Sequence, residues 1–411
     1  MKINRVNFTI FCILLAIYPY IFLADAIYEI NILGSSVYFI IELFFAYYLF
    51  LSNLIKTNNK YLRNITLLIL FLYVFFLSVN LIIYENNINF IKDYRIGISI
   101  TVYMFLAKTS ITNNKDKYFL GKIIIINAIA LSVFALLHHF YFDHIIVCRA
   151  SNIPGQVFID DYSGKLKGMR ECSFVFQPTV FSNLVLMGMF VNIFLLGSVY
   201  KKTKWKKLAL TILFLFAIFL SISRLPMFFA ILLTLAHLYK MLKFKGVFWT
   251  LVLFLLLISI INSDFIVIER LSTLELRGDR YERYMVGLQT VFYNVTNVLI
   301  GTDRLLMAEL RTSSGIKFTD NSFIYIMLFF GVIYLFLIIL YIIAFLLDGV
   351  NLIKNRYQLL LSIFIFFELL FTSYVFQDIL LLYSFTTLIL LSERYNDRDS
   401  ESNGTTHACS S

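Results

Sequence analysis

The chain has 411 residues, of which 60% are hydrophobic and 15% charged, with a mean hydropathy of +0.82. A soluble domain of this size carries about 25% charged residues, so a soluble globular fold is excluded and a polytopic membrane protein is expected. The net charge of +10 does not point to nucleic acid, because most of the excess sits in short loops between apolar runs, the signature of membrane orientation.

The N-terminus, Met1 to Arg5 followed by an apolar run, resembles a signal sequence. No small-residue cleavage site follows it, so a retained first helix is expected. Apolar runs then fall near 7–24, 36–55, 64–84, 96–107, 118–138, 174–199, 208–223, 225–240, 246–263, 322–347, 357–376 and 378–392. They make about twelve transmembrane helices, the fourth, eighth and twelfth being short for a bilayer that takes about 20 residues. Lysines and arginines follow every even-numbered run, for example Lys201, Lys202, Lys204, Lys206 and Lys207 after the sixth. Both termini should therefore be cytoplasmic. The expected fold is an all-α polytopic integral membrane protein: one helical domain over 1–392, then a polar cytoplasmic tail over 393–411 whose composition does not support folding.

Two loops on the opposite side, about 139–173 and 264–321, are too long to be turns, and long loops of this kind carry function or lack a fold. On this topology ten of the fourteen basic residues outside the cytoplasm are arginine, whereas the cytoplasmic side has sixteen lysines and five arginines. Lysine suffices as a point charge for orientation, but arginine offers a planar fork that grips phosphate or carboxylate. Met285, Leu288, Val291 and Phe292 recur at helical spacing, which predicts an amphipathic helix within the second loop. The four cysteines are too few for a disulfide scaffold. Cys148 and Cys172 share one loop, where a bridge and two thiols are both open readings.

Four constellations carry potential chemistry. Arg277, Arg280 and Arg283 would form a stripe on a helix, interleaved with Asp279 and Glu282. A solvated face held by its own salt bridges accounts for the same residues. Ser221-Ile222-Ser223-Arg224-Leu225-Pro226 joins two apolar runs almost without a loop, setting Arg224 at the membrane boundary, where a charge is costly without snorkelling or an anionic partner. Arg170 and Glu171 lead into a span with Pro178 near its start. Finally Ile300-Gly301-Thr302-Asp303-Arg304 precedes Asp320-Asn321-Ser322, where Asp320 and Asn321 suit a helix cap and Asp320 suits a general base. Glu42 and Glu368 lie within spans, as a proton path or as structural braces. The histidines lack metal-ligand spacing, and there is neither a P-loop nor a dinucleotide fingerprint, so no metal and no cofactor are expected.

With those residues in order, the chain resembles the Wzy-type O-antigen polymerase and O-antigen ligase superfamily. Ser221 to Arg224 resembles the family's S-x-S-R at the outer end of a mid-chain helix. Arg280 with Tyr284 and Gly287-Leu288 is similar to its loop helix, and Ile300-Gly301 to the glycines that follow. Asn321-Ser322-Phe323, then Gly331-Val332-Ile333, looks like the start of the family's next span, and Arg170 and Pro178 sit where an arginine and a proline are frequent. Ligases of the superfamily usually place a histidine just before that asparagine. Here the position is Asp320, which favours polymerase.

The resemblance implies a GT-C-like membrane glycosyltransferase of the bacterial inner membrane, with its active face periplasmic and a role in lipopolysaccharide biosynthesis. Its substrate would be an undecaprenyl-diphosphate-linked oligosaccharide. The growing glycan would pass onto the non-reducing end of a new lipid-linked repeat unit. Arg170, Arg224, Arg277, Arg280, Arg283, Arg304 and Asn321 would bind diphosphate and glycan. Asp320, Glu282 and Glu171 would be the candidate catalytic carboxylates, with Asp279 a further one. A polysaccharide chain-length regulator is an implied partner; nucleic acid is not. Two other functions stay open: a ligase onto another acceptor, and a flippase or transporter that uses Glu42 and Glu368.

Overall fold

The computed structural model describes residues 5–28, 31–32, 35–36, 42–84, 96–111, 113–141, 178–194, 204–221, 223–242, 248, 278–303, 321–349, 356–371 and 378–391. These are almost entirely helical. In chain order the helices are α1 (Arg5–Tyr28), α2 (Tyr48–Lys56), α3 (Lys60–Ile83), α4 (Ile96–Ser110), α5 (Asn114–Tyr141) and α6 (Pro178–Phe194). Then come α7 (Lys204–Leu220), α8 (Arg224–Leu242), α9 (Gly278–Val291), α10 (Val295–Ile300), α11 (Ser322–Gly349), α12 (Arg356–Phe371) and α13 (Asp378–Leu390).

Eleven of the twelve apolar runs thus carry a described helix; the ninth, 246–263, lies outside the described residues apart from Phe248. Within the run expected over 36–55, the described residues from Glu42 form a π-helical turn (Glu42–Tyr47) that leads into α2. Ser36 ends a two-residue pairing of Asn31–Ile32 with Ser35–Ser36.

Among the described residues, three helices are long and apolar enough to cross a bilayer: Lys60–Ile83, Asn114–Phe140 and Ser322–Phe345. Shorter apolar helices include Pro178–Phe194 and Ile379–Leu390. Helix α3 leaves most of its apolar surface bare, with Phe71 and Ile82 exposed at 68% and 76%. A face of this kind suits lipid and not water.

Contacts divide the chain into two compact units. One comprises residues 1–8, 49–120 and 282–411, and the other residues 9–48 and 121–281. In the first, α3 and α11 pack together. The Thr66 hydroxyl meets the Tyr341 phenol at 3.3 Å, and the rings of Tyr73 and Phe76 pack on Tyr334. A polar seam ties further helices together: Asn7 Nδ2 donates to Ser52 Oγ and Asn53 Oδ1, and Asn53 Nδ2 donates to Thr109 Oγ1 at 3.1 Å. Such bonds replace the hydrophobic drive that lipid cannot supply between helices. Gln358 in α12 donates to the Leu388 carbonyl of α13 at 3.3 Å.

The second unit is organised on α6, which is buried on nearly all sides and packs on α7 and α8. Gly188 lets α6 approach α5 so closely that a β-carbon there would collide with the Ala128 side chain. Asn192 Nδ2 crosses from α6 to the Lys207 carbonyl and Thr211 Oγ1 of α7. In α1, Pro19 has no N–H to donate and so releases the Leu15 carbonyl four residues back. Asn127 of α5 takes that carbonyl at 3.1 Å and Ala16 at 3.3 Å, while its Oδ1 accepts from the Tyr20 phenol.

Candidate functional site

The best-defined polar arrangement in the first unit is built on a break. Helix α11 is interrupted at Gly331, whose φ of 82° and ψ of 171° are not helical. Within a hydrophobic span, irregular backbone survives only where protein satisfies its polar groups. Here Thr302 does so, its N–H donating to the Leu328 carbonyl at 2.7 Å and its Oγ1 donating to the same oxygen at 2.9 Å. Glycine is required at both sides of this contact. A β-carbon on Gly301, itself at φ 90°, would fall 2.5 Å from the Phe329 carbonyl carbon, and one on Gly331 would fall 2.6 Å from that of Leu299.

Helix α10 delivers Gly301 and Thr302 to that break. Asn294 caps it, its Oδ1 accepting from the Asn297 N–H at 2.6 Å. All the hydrogen-bonding groups of Asn297 are engaged. Its carbonyl accepts from the Gly301 N–H at 3.0 Å, its Nδ2 donates to the Thr290 carbonyl of α9 at 2.8 Å, and its Oδ1 accepts from the Tyr84 phenol at 2.9 Å. Tyr84, the C-terminal cap of α3, also lies 3.0 Å from the Gly301 carbonyl, and Asn80 of α3 donates to the Ile300 carbonyl at 3.0 Å. Through this network α9, α10, α3 and α11 are joined at one point.

Asp303 follows directly and is half-buried. Burial, and secondly the negative charge of Asp303, push the Tyr84 phenol above its ordinary pKa. The phenol therefore stays protonated as the donor that the geometry requires. Sequence reasoning alone places Thr302 and Asp303 within a candidate segment without giving either a role, and does not mark Asn297, Asn80 or Tyr84. A signal exists for Asn80, a buried polar residue in an otherwise apolar span. None exists for Tyr84 without the fold.

The residues expected from the sequence are distributed as follows. Arg280, Glu282 and Arg283, with Asp279, lie on α9 close to its start. Asn321 is buried, and its Oδ1 accepts from the N–H groups of Phe323 at 2.9 Å and Ile324 at 3.0 Å, so its side-chain oxygen is committed to starting α11. Arg224 is exposed at the first residue of α8. The preceding turn is internally closed: Ser221 Oγ donates to the Ile218 carbonyl at 2.6 Å and accepts from the Ser223 N–H at 3.2 Å. A cation at a helix N-terminus opposes the helix dipole, and Arg224 occupies such a position. Arg170, Glu171, Arg277, Arg304 and Asp320 lie outside the described residues, as do Cys148 and Cys172.

Glu368 of α12 is fully buried and Glu42 opens the π-helical turn. Among the described residues no three His, Cys, Asp or Glu side chains come together as metal ligands. No family model, no curated protein and no solved structure matches this chain.

Proposed function

We propose that this chain is a Wzy-type polymerase: a membrane glycosyltransferase with about twelve spans that moves a growing glycan from undecaprenyl diphosphate onto a new lipid-linked repeat unit. The observation that carries this reading is the junction at Asn297 and Thr302. It couples α9, which bears Arg280 and Arg283, to a broken apolar helix whose start is set by Asn321. Discontinuous membrane helices gather polar groups at a bilayer-embedded site, and arginines there suit a leaving diphosphate. Charge builds on that diphosphate as the glycosidic bond breaks, and fixed guanidinium donors stabilise it. Arg170, Arg224, Arg277 and Arg304 complete the proposed anion-binding set. Asp320, Glu282 and Glu171 are its proposed carboxylates, and Asn321 contributes the amide nitrogen that its capping role leaves over.

The same arrangement serves a ligase with a different acceptor. A transporter using Glu368 and Glu42 is the third reading; a broken span suits it as well, but the long arginine-bearing loop over about 264–321 suits a polymerase better. A deletion strain separates the three. Loss of a polymerase leaves single repeat units on the surface lipid. Loss of a ligase leaves long chains on the carrier, and loss of a flippase leaves units on the inner leaflet. Reporter fusions within 264–321 provide a second check: a cytosolic signal there removes the periplasmic site altogether.

A further inference from the structure

The junction at α11 places a carboxylate one residue beyond a fixed backbone. Thr302 bonds to Leu328, seven residues beyond Asn321, so the chain reaches roughly 10 Å along α11 from its start. One residue later comes Asp303, half-buried and close enough to Tyr84 for its charge to act on that phenol. Tyr84 is in turn held by Asn297 and the Gly301 carbonyl. On the proposed topology this is the outer margin of the bilayer. A lipid diphosphate presents its first sugar at the same level, because its phosphates rest at the membrane boundary. A base acting there must sit low and hold still, and the two Thr302 bonds impose both conditions.

We propose that Asp303 is a catalytic residue of this site, accepting the proton of the acceptor sugar's hydroxyl. The assignment rests on the polymerase reading. In the step, the acceptor O–H bond breaks and its proton passes to the Asp303 carboxylate. The oxygen's electron pair forms the new bond to the anomeric carbon. The bond from that carbon to the diphosphate oxygen breaks, and its electron pair leaves with the lipid diphosphate. Nothing is oxidised or reduced. Thr302 is a positioning residue, acting through the depth it gives its neighbour.

The test uses the full chain, purified in detergent, with single repeat-unit lipids extracted from the deletion strain as the probe. Asp303→Asn is expected to lower kcat about 100-fold or more, with KM within about threefold of wild type. Thr302→Val retains the carboxylate but loses one of the two bonds; its kcat should fall about tenfold at unchanged KM, whereas Thr302→Ser, which keeps the hydroxyl, should turn over like wild type. Turnover by Asp303→Asn within about threefold of wild type overturns the assignment, as does equal kcat for wild type and Thr302→Val. If Asp303→Asn does not assemble, the Thr302 pair decides alone. Wild-type protein that makes no polymer from the extracted lipids sinks the polymerase reading itself. Active wild type with an active Asp303→Asn sinks only the role of Asp303.

Discussion

Gly301 and Gly331 occupy the two sides of one backbone contact, each lying against main-chain atoms next to the other: Gly301 against Leu328 and Phe329, Gly331 against Leu299 and Ile300. Both have positive φ, 90° and 82°. Alanine at either position meets backbone that has no rotamer to yield, in a conformation that L-residues avoid. Gly301→Ala and Gly331→Ala should each destabilise the protein by about 2 kcal/mol or more. The double mutant should cost less than the sum, because the first substitution already parts the two segments. Thermal unfolding of the four proteins in one detergent measures the coupling, and strict additivity would argue that the two glycines act separately.

Tyr84 carries a pH dependence with a definite sign. Its pKa is raised, by burial first and by Asp303 second, so the folded state favours the neutral phenol. That contribution is fully present below the ordinary tyrosine value of about 10 and is lost as pH rises through the folded value. Tyr84→Phe removes the donor to Asn297 and Gly301 and should cost about 1 kcal/mol at neutral pH. The gap between wild type and Tyr84→Phe should narrow above about pH 10. Unfolding curves from mildly alkaline pH upward test this, and a gap that widens in alkali contradicts it.

Pro19 and Asn127 form a compensating pair in the second unit. Removing the amide with Asn127→Leu leaves the Leu15 carbonyl in apolar surroundings and should cost about 1 to 3 kcal/mol. With Pro19→Ala already in place, an N–H returns to Leu15 and the same substitution should cost markedly less. A double-mutant cycle on melting temperature checks it, the absence of coupling being the contrary result.

Arg224 offers a separation of stability from activity. Because Arg224 is exposed at the first residue of α8, Arg224→Gln should reach normal membrane levels while producing no long polymer. Arg224→Lys and Arg280→Lys keep the charge but lose the bidentate fork, and should also yield only short chains at normal membrane levels. Full-length polymer from either lysine variant would show that paired hydrogen bonds are not what that site requires.

The helical runs are legible because a bilayer demands about 20 apolar residues whatever surrounds them. Helix α9 is legible from the spacing of Met285, Leu288 and Val291; Val291 is fully buried, whereas Met285 is exposed and Phe292 is exposed beyond the end of the helix. The segment Ile300 to Asp303 stands out in the sequence, but its purpose does not. The bond from Thr302 to Leu328 joins positions 26 residues apart, and those from Asn80 and Tyr84 to α10 span 220 and 213. Local periodicity carries no information at those separations. Gly331 can be named from the sequence but not its φ, which depends on Leu299 lying against it.

The stretch from Asn297 to Thr302 works as a ruler. One end is tied to α9 and α3, the other to α11, and the helical register of the residues between sets which group meets which partner. Insertions and deletions between those two anchors should therefore be purged from any lineage that keeps the activity, even where the identities of Val298 and Leu299 drift. Length, more than side-chain identity, is the heritable property of this short bridge.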